Sequence, residues 1–326
     1  MICNQWYIIL ESKELKKRKP VKVKRFNEYL ALWREKNGQV CCIIDKCCHR
    51  GASLSCGKII NGELECPFHG FIYDKSGQVQ IIPAIGKNNP APETMKVRAF
   101  KTFEAYGFIW MWWGEDNKIP EEPYFFKELE RFSYSSIKDH WNVHYSRAIE
   151  NQLDVVHLPF VHKTTIGRGN KTLIHGPVVK RVNELITFYV YNIKDDGNTI
   201  ALKPDEIVDY EKLFHLQFHY PNIWQNFISD KIRVFAAFVP VDEENSIIYI
   251  RYYQGLLRIP ILKTLFNFAG KISSKIILRQ DKRVVITQLP KKSEFRMEEH
   301  LIGGDNPIIE YRKHRQTLIE SNKNQK

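Results

Sequence analysis

The sequence of 326 residues lacks any run of 18 uncharged apolar residues, so it predicts no membrane-spanning helix. Residues 1–17 also lack the basic segment and long apolar stretch of a secretory signal. Internal repeats and low-complexity segments are absent, and 43% of the residues are apolar, which excludes a disordered or collagen-like chain. We therefore expect a folded protein with a cytoplasmic location.

The sequence also lacks the even cysteine count of a disulfide framework. It has seven cysteines, and all except Cys3 lie between Cys41 and Cys66. An odd, crowded set of this kind favours a reduced metal site over disulfides.

Acidic residues are too few to balance the charge, and the formal net charge is +12. Residues 11–25 carry eight Lys or Arg against two Glu. Lysine alternates with valine in the segment 21–24, as on an exposed strand, and edge lysines deter unwanted strand pairing. A solvated strand edge is the favoured interpretation. A docking surface for an acidic protein and a nucleic-acid surface are the alternatives, and we expect no nucleic-acid partner.

Short segments rich in β-branched and aromatic residues dominate residues 1–114 and predict an all-β domain. The predicted strands are Tyr29–Trp33, Gln39–Ile44, Lys58–Ile60, Glu63–Cys66 and Phe108–Trp113. The dipeptide Asn61-Gly62 predicts a two-residue hairpin turn. The polar stretch Gly114–Pro123 is typical of a linker.

Residues 115–326 mix helical and strand periodicities and predict an α+β domain, with an antiparallel sheet packed against a long terminal helix. The predicted elements are a helical stretch over 137–162, strands Leu185–Tyr191, Phe214–Tyr220, Ile232–Val239 and Ile247–Tyr253, and a helix over Ile261–Gln288. The polar strand face of His215, Gln217 and His219 is interpreted as solvated, with a substrate pocket as the alternative.

Two short loops each offer one thiol and one imidazole. Cys47 precedes His49 by two residues, and Cys66 precedes His69 by three, with residues 50–65 between the pairs. Zinc accepts two Cys and two His, although zinc fingers usually pair the two cysteines first. A Rieske [2Fe–2S] centre, in which two His replace two Cys on one iron, matches the interleaved order. Ordinary core thiols are the third alternative, and they are the interpretation chosen for Cys3, Cys41, Cys42 and Cys56.

A second polar constellation lies in residues 150–162. Asn151, Asp154 and His157 are spaced by three, and His162 follows five residues later. We predict that Pro159 interrupts the helix and lets His162 turn back toward His157. Two His and one carboxylate form the facial triad of non-haem Fe(II) sites.

The carboxylate of that triad has two candidates, Asp154 and Asp281. Asp281 shares a helix face with Leu278 and Val285, so a metal would relieve the cost of burying its charge. We therefore predict Asp281 as the ligand. The alternative is a helix register in which Asp281 pairs with Lys282 or Arg283 in solvent.

Residues 47–74, CCHRGASLSCGKIINGELECPFHGFIYD, resemble the cluster-binding motif of the Rieske non-haem iron oxygenases. The one departure is Cys48, where the family commonly has Pro. The pattern Asn-x-x-Asp-x-x-His-x4-His over 151–162 and the later Gln280-Asp281 also resemble the family's iron-binding segments. Residues 162–169, HKTTIGRG, and the short chain are most similar to the monooxygenase and demethylase branch, which includes vanillate demethylases and pheophorbide a oxygenase-like proteins.

The resemblance implies a Rieske domain over 1–114 and a helix-grip catalytic domain over 115–326, assembled as a head-to-tail homotrimer. It implies a [2Fe–2S] cluster on Cys47, His49, Cys66 and His69, and one Fe(II) on His157, His162 and Asp281. Asp154 and Asn151 are the implied catalytic residues, with Asp154 linking His157 to the partner subunit's His69.

The resemblance further implies that electrons from NAD(P)H arrive through a separate flavin reductase, directly or by way of a ferredoxin. With O2, they would serve to hydroxylate or oxidatively demethylate a small aromatic or polycyclic substrate. A ring-dihydroxylating dioxygenase, a Rieske electron-transfer protein without oxygenase activity and a zinc-dependent nucleic-acid binder are the alternatives.

Overall fold

The computed structural model of the protein describes residues 1–115, 119–212, 214–257 and 259–323. The chain divides into two compact units, one of Cys3–Phe125 and one that begins at Phe126. The predicted linker over 114–123 lies in part outside the described residues, at positions 116–118. Within the described part of the chain, no helix has both the length and the apolar character needed to cross a membrane.

The described part of the first unit consists of short strands in three antiparallel sheets. The strands are β1 (Gln5–Glu11), β2 (Val21–Arg25), β3 (Glu28–Arg34), β4 (Val40–Ile44), β5 (Lys58–Ile60), β6 (Glu63–Glu65), β7 (Ile72–Tyr73), β8 (Val79–Ile81), β9 (Ala99–Phe100), β10 (Thr102–Ala105) and β11 (Phe108–Trp113). Their orders are β1-β11-β10, β2-β3-β4-β9 and β5-β6-β7-β8.

The predicted hairpin turn and the predicted strand edge both correspond to features of this unit. Asn61 and Gly62 join β5 to β6 with φ of 55° and 95°, the left-handed pair that a two-residue turn of this type requires. Strand β2 lies at the edge of its sheet, and Lys22 on β2 is 3.4 Å from the carboxylate of Asp45. This position agrees with the interpretation of the basic segment as a strand edge.

The second unit is built on one seven-stranded antiparallel sheet of order β12-β18-β17-β16-β15-β14-β13. Its strands are β12 (Ser133–Trp141), β13 (Leu173–Val182), β14 (Leu185–Ile193), β15 (His215–His219), β16 (Ile223–Ser229), β17 (Ile232–Pro240) and β18 (Ser246–Gln254). Its helices are α1 (Tyr145–Leu153), α2 (Leu158–Val161), α3 (Pro260–Val285) and α4 (Asn306–Lys323).

The long helix α3 crosses β12 and β18, as expected for an antiparallel sheet packed against a helix. The residues that α3 buries recur every three or four positions: Gly270, Ser274, Leu278, Asp281 and Val285. A Cβ at Gly270 would overlap the ring of Tyr252 on β18, so the close approach of helix to sheet requires glycine there. The α+β fold class is therefore confirmed.

Two sequence predictions about this unit are wrong. Residues 137–162 are not one helical stretch, because 133–141 pair along their whole length with β18 and form an edge strand. Pairing with a strand more than a hundred residues away carries no local signal in the sequence. The long helix is also not terminal, because α4 follows it and packs against β13 and β14.

Candidate metal centres

Two loops of the first unit hold the predicted cluster residues in the same kind of turn. The Cys47 N–H donates to Ala52 O at 2.8 Å, and Gly51 N–H donates to Cys47 O at 2.9 Å. In the second loop Cys66 N–H donates to Phe71 O at 2.7 Å, and Gly70 N–H donates to Cys66 O at 3.1 Å. Gly51 and Gly70 have φ of 75° and 72°, so each turn depends on glycine. This left-handed backbone conformation explains why glycine follows Arg50 in one loop and His69 in the other.

The four side chains divide by burial into an inner and an outer pair. Cys47 and Cys66 are 3% and 1% exposed, whereas His49 is exposed and His69 is half-buried. The two imidazole rings lie 4.6 Å apart between centroids. A Rieske cluster needs two thiolates on one iron and two imidazoles on the other, so this division suits that cluster.

Tyr73 on β7 lies against Cys47 and its neighbour Cys48. Its hydroxyl is 3.0 Å from Cys47 Sγ and 3.2 Å from Cys48 Sγ, and it accepts the Cys48 N–H at 3.1 Å. Burial raises the pKa of the Tyr73 phenol, so the hydroxyl keeps the proton with which it can donate to sulfur. Cys48 is exposed, and its thiol is therefore not part of the buried pair.

In the second unit, His157 and His162 flank the short helix α2 as its N-cap and C-cap residues. One helical turn between them brings their ring centroids within 5.2 Å. The break that allows this geometry lies at 154–157, between α1 and α2, whereas Pro159 sits in the first turn of α2. The prediction that Pro159 interrupts the helix is therefore wrong, because proline fits the first turn of a helix without cost.

Asp281 reaches these histidines from the buried face of α3. Its Oδ1 is 2.9 Å from His162 Nε2 and 3.5 Å from His157 Nε2. One ligand atom from each of the three residues lies within 4.8 Å of the others. Asp281 is 3% exposed, so the solvent-paired register considered for it is absent from the structure.

The outer ring nitrogens of the two histidines differ in their surroundings. His162 Nδ1 lies 2.8 Å from Gln280 Oε1, which also accepts the Thr165 hydroxyl at 2.8 Å. His157 Nδ1 lies 3.6 Å from Asp154 Oδ2, which is beyond hydrogen-bond length, and has no hydrogen-bond partner among the described residues. In the tautomer that donates from Nδ1 to Gln280 Oε1, the His162 ring turns a lone pair on Nε2 toward Asp281.

This arrangement passes a physical test for a bound cation. Asp281 Oδ1 is buried and has no hydrogen-bond partner among the described residues, although His162 Nε2 is only 2.9 Å away. Two lone pairs at that distance repel each other unless a positive charge lies between them. Burial lowers the pKa of His157, but Asp154 and Asp281 outweigh it and raise that pKa to about 9, so the site favours positive charge. The donor set suits Fe(II).

The end of α1 that carries Asp154 is held by buried charges. Glu150 accepts a two-pronged ion pair from Arg312 of α4, with N–O distances of 2.7 and 2.9 Å, and a third contact of 3.1 Å from Arg147. Asp154 caps α1, and its Oδ1 accepts the N–H groups of Val156 and His157. Its Oδ2 is thereby left to face the His157 ring. The Asn151 side chain lies one turn earlier, and its buried Nδ2 has no partner among the described residues.

A cavity of about 100 Å³ adjoins the three predicted iron ligands. One face of the central strands lines it, together with parts of α1, α2 and α3. The lining residues include Val190, Asn192, Phe214, Leu216, Trp224, Asn226, Ile166 and Ile277. His215 and Gln217 alternate with Phe214 and Leu216, so their side chains point to the opposite sheet face. The polar face that they share with His219 does not line this cavity.

Sequence reasoning placed the predicted ligands but gave no role to Gln280, Glu150 or the residues of the cavity. Gln280 stands beside Asp281 in the sequence, and its position next to a predicted ligand was the only available signal. In the sequence Glu150 is only one member of a polar run, because its partner Arg312 lies 162 residues later.

Comparison with known proteins adds an independent line of evidence. Residues 5–103 match the family model of the Rieske [2Fe-2S] domain, and residues 141–321 match that of the vanillate O-demethylase oxygenase C-terminal domain. Chlorophyllide a oxygenase of Chlamydomonas reinhardtii is 35% identical over 167 residues, which cover 51% of this chain and 25% of that protein. The match therefore spans about a quarter of that relative.

Methylxanthine N1-demethylase NdmA of Pseudomonas putida is 28% identical over 331 residues, which cover 98% of this chain and 89% of that protein. A solved structure of Pseudomonas putida NdmA with caffeine is 26% identical and has a TM-score of 0.80 over 98% of this chain and 92% of that chain. These similarities extend through both units and both candidate metal centres.

Proposed function

Because the chain belongs to the Rieske-type terminal oxygenases, we propose that it takes electrons from a separate reductase and uses O2 to hydroxylate or oxidatively demethylate a small organic molecule. The observation that carries this proposal is the convergence of His157, His162 and Asp281 on one point, with a buried carboxylate oxygen that lacks a partner among the described residues. A Rieske electron-transfer protein would not need this second centre.

Each residue has a defined task in the proposal. In residues 1–114 the cluster would be held by Cys47, His49, Cys66 and His69. In residues 115–326 the iron would be held by His157, His162 and Asp281. When bound, the cluster supplies single electrons and the iron supplies the activation of O2.

The surrounding residues prepare the iron site. Gln280 keeps the Nδ1 proton of His162 in place, so that Nε2 stays free to bind metal. Asp154 accepts the backbone N–H of His157 at 3.2 Å and places its second carboxylate oxygen 3.6 Å from the ring nitrogen Nδ1. The apolar walls of the cavity limit the access of water to the reacting groups.

We extend the proposal to the assembly and the electron donor. Asp154 would link His157 to the partner subunit's His69 in a head-to-tail homotrimer, and a ferredoxin or a flavin reductase would deliver electrons from NAD(P)H. The relatives with demethylase and monooxygenase names support this branch over the ring dioxygenases. The cytoplasmic location stays a prediction.

Metal analysis tests the proposal. The purified protein should contain three irons and two sulfides per chain, and Asp281→Ala should lose about one iron and no sulfide. Asp139→Ala is the matched control, because Asp139 pairs with Lys282 at 3.0 Å beside the site without facing the histidines. Three irons retained in Asp281→Ala, or zinc in place of iron, would refute the proposed iron site.

A further inference from the structure

Two residues that line the cavity beside the iron ligands carry buried polar atoms that have no hydrogen-bond partner among the described residues. Trp224 on β16 is 4% exposed and lines the cavity, and its indole Nε1 has no hydrogen-bond partner among the described residues. Two residues along the same strand face, Asn226 also lines the cavity, and its Oδ1 is buried without a partner in the same set. Buried polar groups are normally paired, so these two point to a ligand that pairs them.

The charge of the lining defines what that ligand can be. Among the described lining residues, the carboxylates are Asp154 and Asp281, and no Lys or Arg is present. An anionic substrate would therefore find no cationic side chain in the lining to pair its charge, and Asp154, which is not a predicted metal ligand, would repel it. Burying a charge without a partner is far more costly than burying a neutral polar group.

The remaining lining is apolar and extends to the surface. Val155, Leu158, Val190 and Leu216 contribute aliphatic surface to the cavity. Ile166 and Phe214 also line it and are 57% and 40% exposed, so apolar side chains are already accessible to solvent. A mainly apolar molecule would cover this surface.

We propose that the site takes an uncharged, mainly apolar substrate that offers a carbonyl oxygen or ring nitrogen to Trp224 Nε1, with Asn226 as a second polar contact. This inference rests on the proposed function, since it names the substrate class of the same site. Trp224 is the residue that selects for the acceptor group, because an indole N–H can only donate.

Binding to matched ring compounds tests the substrate class. The probes are the primary amide, carboxylate and methyl derivatives of one benzene ring: benzamide, benzoate and toluene. Their dissociation constants are measured by calorimetry on the iron-loaded protein without O2. The amides should bind about tenfold more tightly than the carboxylates and the methyl compounds, the effect of one hydrogen bond in a buried site.

Two substitutions and one control test which residues determine the preference for amides. Trp224→Phe should weaken amide binding about tenfold and leave the methyl compounds unchanged, because only the amides use the indole N–H. Trp141→Phe is the matched control, since Trp141 is 1% exposed, also has an unpaired Nε1 among the described residues, and does not line the cavity. Asn226→Lys should shift the preference toward carboxylates by supplying the missing cation.

Three results would overturn the inference: carboxylates that bind as tightly as amides, no amide that binds, or an equal loss of all three compounds in Trp224→Phe. The comparison of amide with carboxylate in the unaltered protein needs no variant, so a Trp224→Phe protein that fails to fold leaves the test intact. Binding without O2 does not depend on turnover. Selective binding without substrate-dependent O2 uptake would contradict the proposed oxygenase and leave this inference standing.

Discussion

Replacing Gln280 with leucine should weaken the binding of Fe(II) in the second unit. The change keeps the approximate size of the side chain and removes the oxygen that His162 Nδ1 meets at 2.8 Å. His162 is 1% exposed, so water cannot replace that partner. A buried donor left without its partner costs about 1–3 kcal/mol, which corresponds to a loss of about 5- to 150-fold in affinity. Partners of metal-binding histidines typically contribute about 10–100-fold, within the same interval.

Competition between the protein and a calibrated chelator for Fe(II) measures this affinity, while acid-labile sulfide reports on the cluster, which should be unchanged. Gln280→Glu keeps the acceptor and should retain the affinity. Gln288→Leu, an exposed position just beyond α3, is the control for the same substitution. If Gln280→Leu binds Fe(II) within twofold of the unaltered protein, the reasoning from the Nδ1 contact is refuted.

Three further predictions concern Asp154, His144 and Glu150. Asp154→Asn should retain both metals yet slow product formation by about tenfold or more, because it removes the negative charge that lies 3.6 Å from His157 Nδ1; normal coupled turnover would contradict this role. Burial, with a smaller contribution from Arg315, lowers the pKa of His144 to about 2 in the folded protein. The pKa in the unfolded chain is about 6.5, so between these two pH values only the unfolded chain gains a proton. The free energy of unfolding should therefore decrease as the pH falls, by about 2 kcal/mol at pH 5. His144→Asn keeps the helix-capping acceptor, and urea unfolding of this variant should not show the decrease. Glu150→Ala should lower the unfolding free energy by about 1.5–3 kcal/mol, since it removes the two-pronged partner of buried Arg312, which keeps one contact with Glu299. Removal of the half-buried carboxylate Glu310, which pairs with Arg181, should cost under about 1 kcal/mol, and similar losses would contradict the buried-pair argument.

The cluster loops show how much of the structure can be predicted from neighbouring residues alone. Each pair of predicted ligands lies within four consecutive residues, on a turn closed by its own backbone hydrogen bonds and by one glycine. Such a turn forms from neighbouring residues, so spacing alone predicts it. The same holds for the Asn61-Gly62 hairpin and for strands with clear alternation. The family and the fold class followed from these signals and are confirmed.

The second centre depends on distant parts of the chain. His162 and Asp281 are separated by 119 residues and meet at 2.9 Å only because α3 packs across the sheet. The apolar spacing around Asp281 predicted that its carboxylate is buried, and it is. The roles of the three residues as ligands stay predictions until metal is measured.

The sequence by itself determined the chemistry that this protein can offer: which residues can bind metal, in what local order, and in which two kinds of domain. Only the tertiary structure decided which groups meet. It turned residues 133–141 into an edge strand, paired Gln280 with His162, and faced Trp224 and Asn226 toward the cavity side of the sheet. Local preferences act between neighbours in the chain, whereas these contacts depend on how strands and helices pack, and residues far apart in sequence carry no sign of their partners.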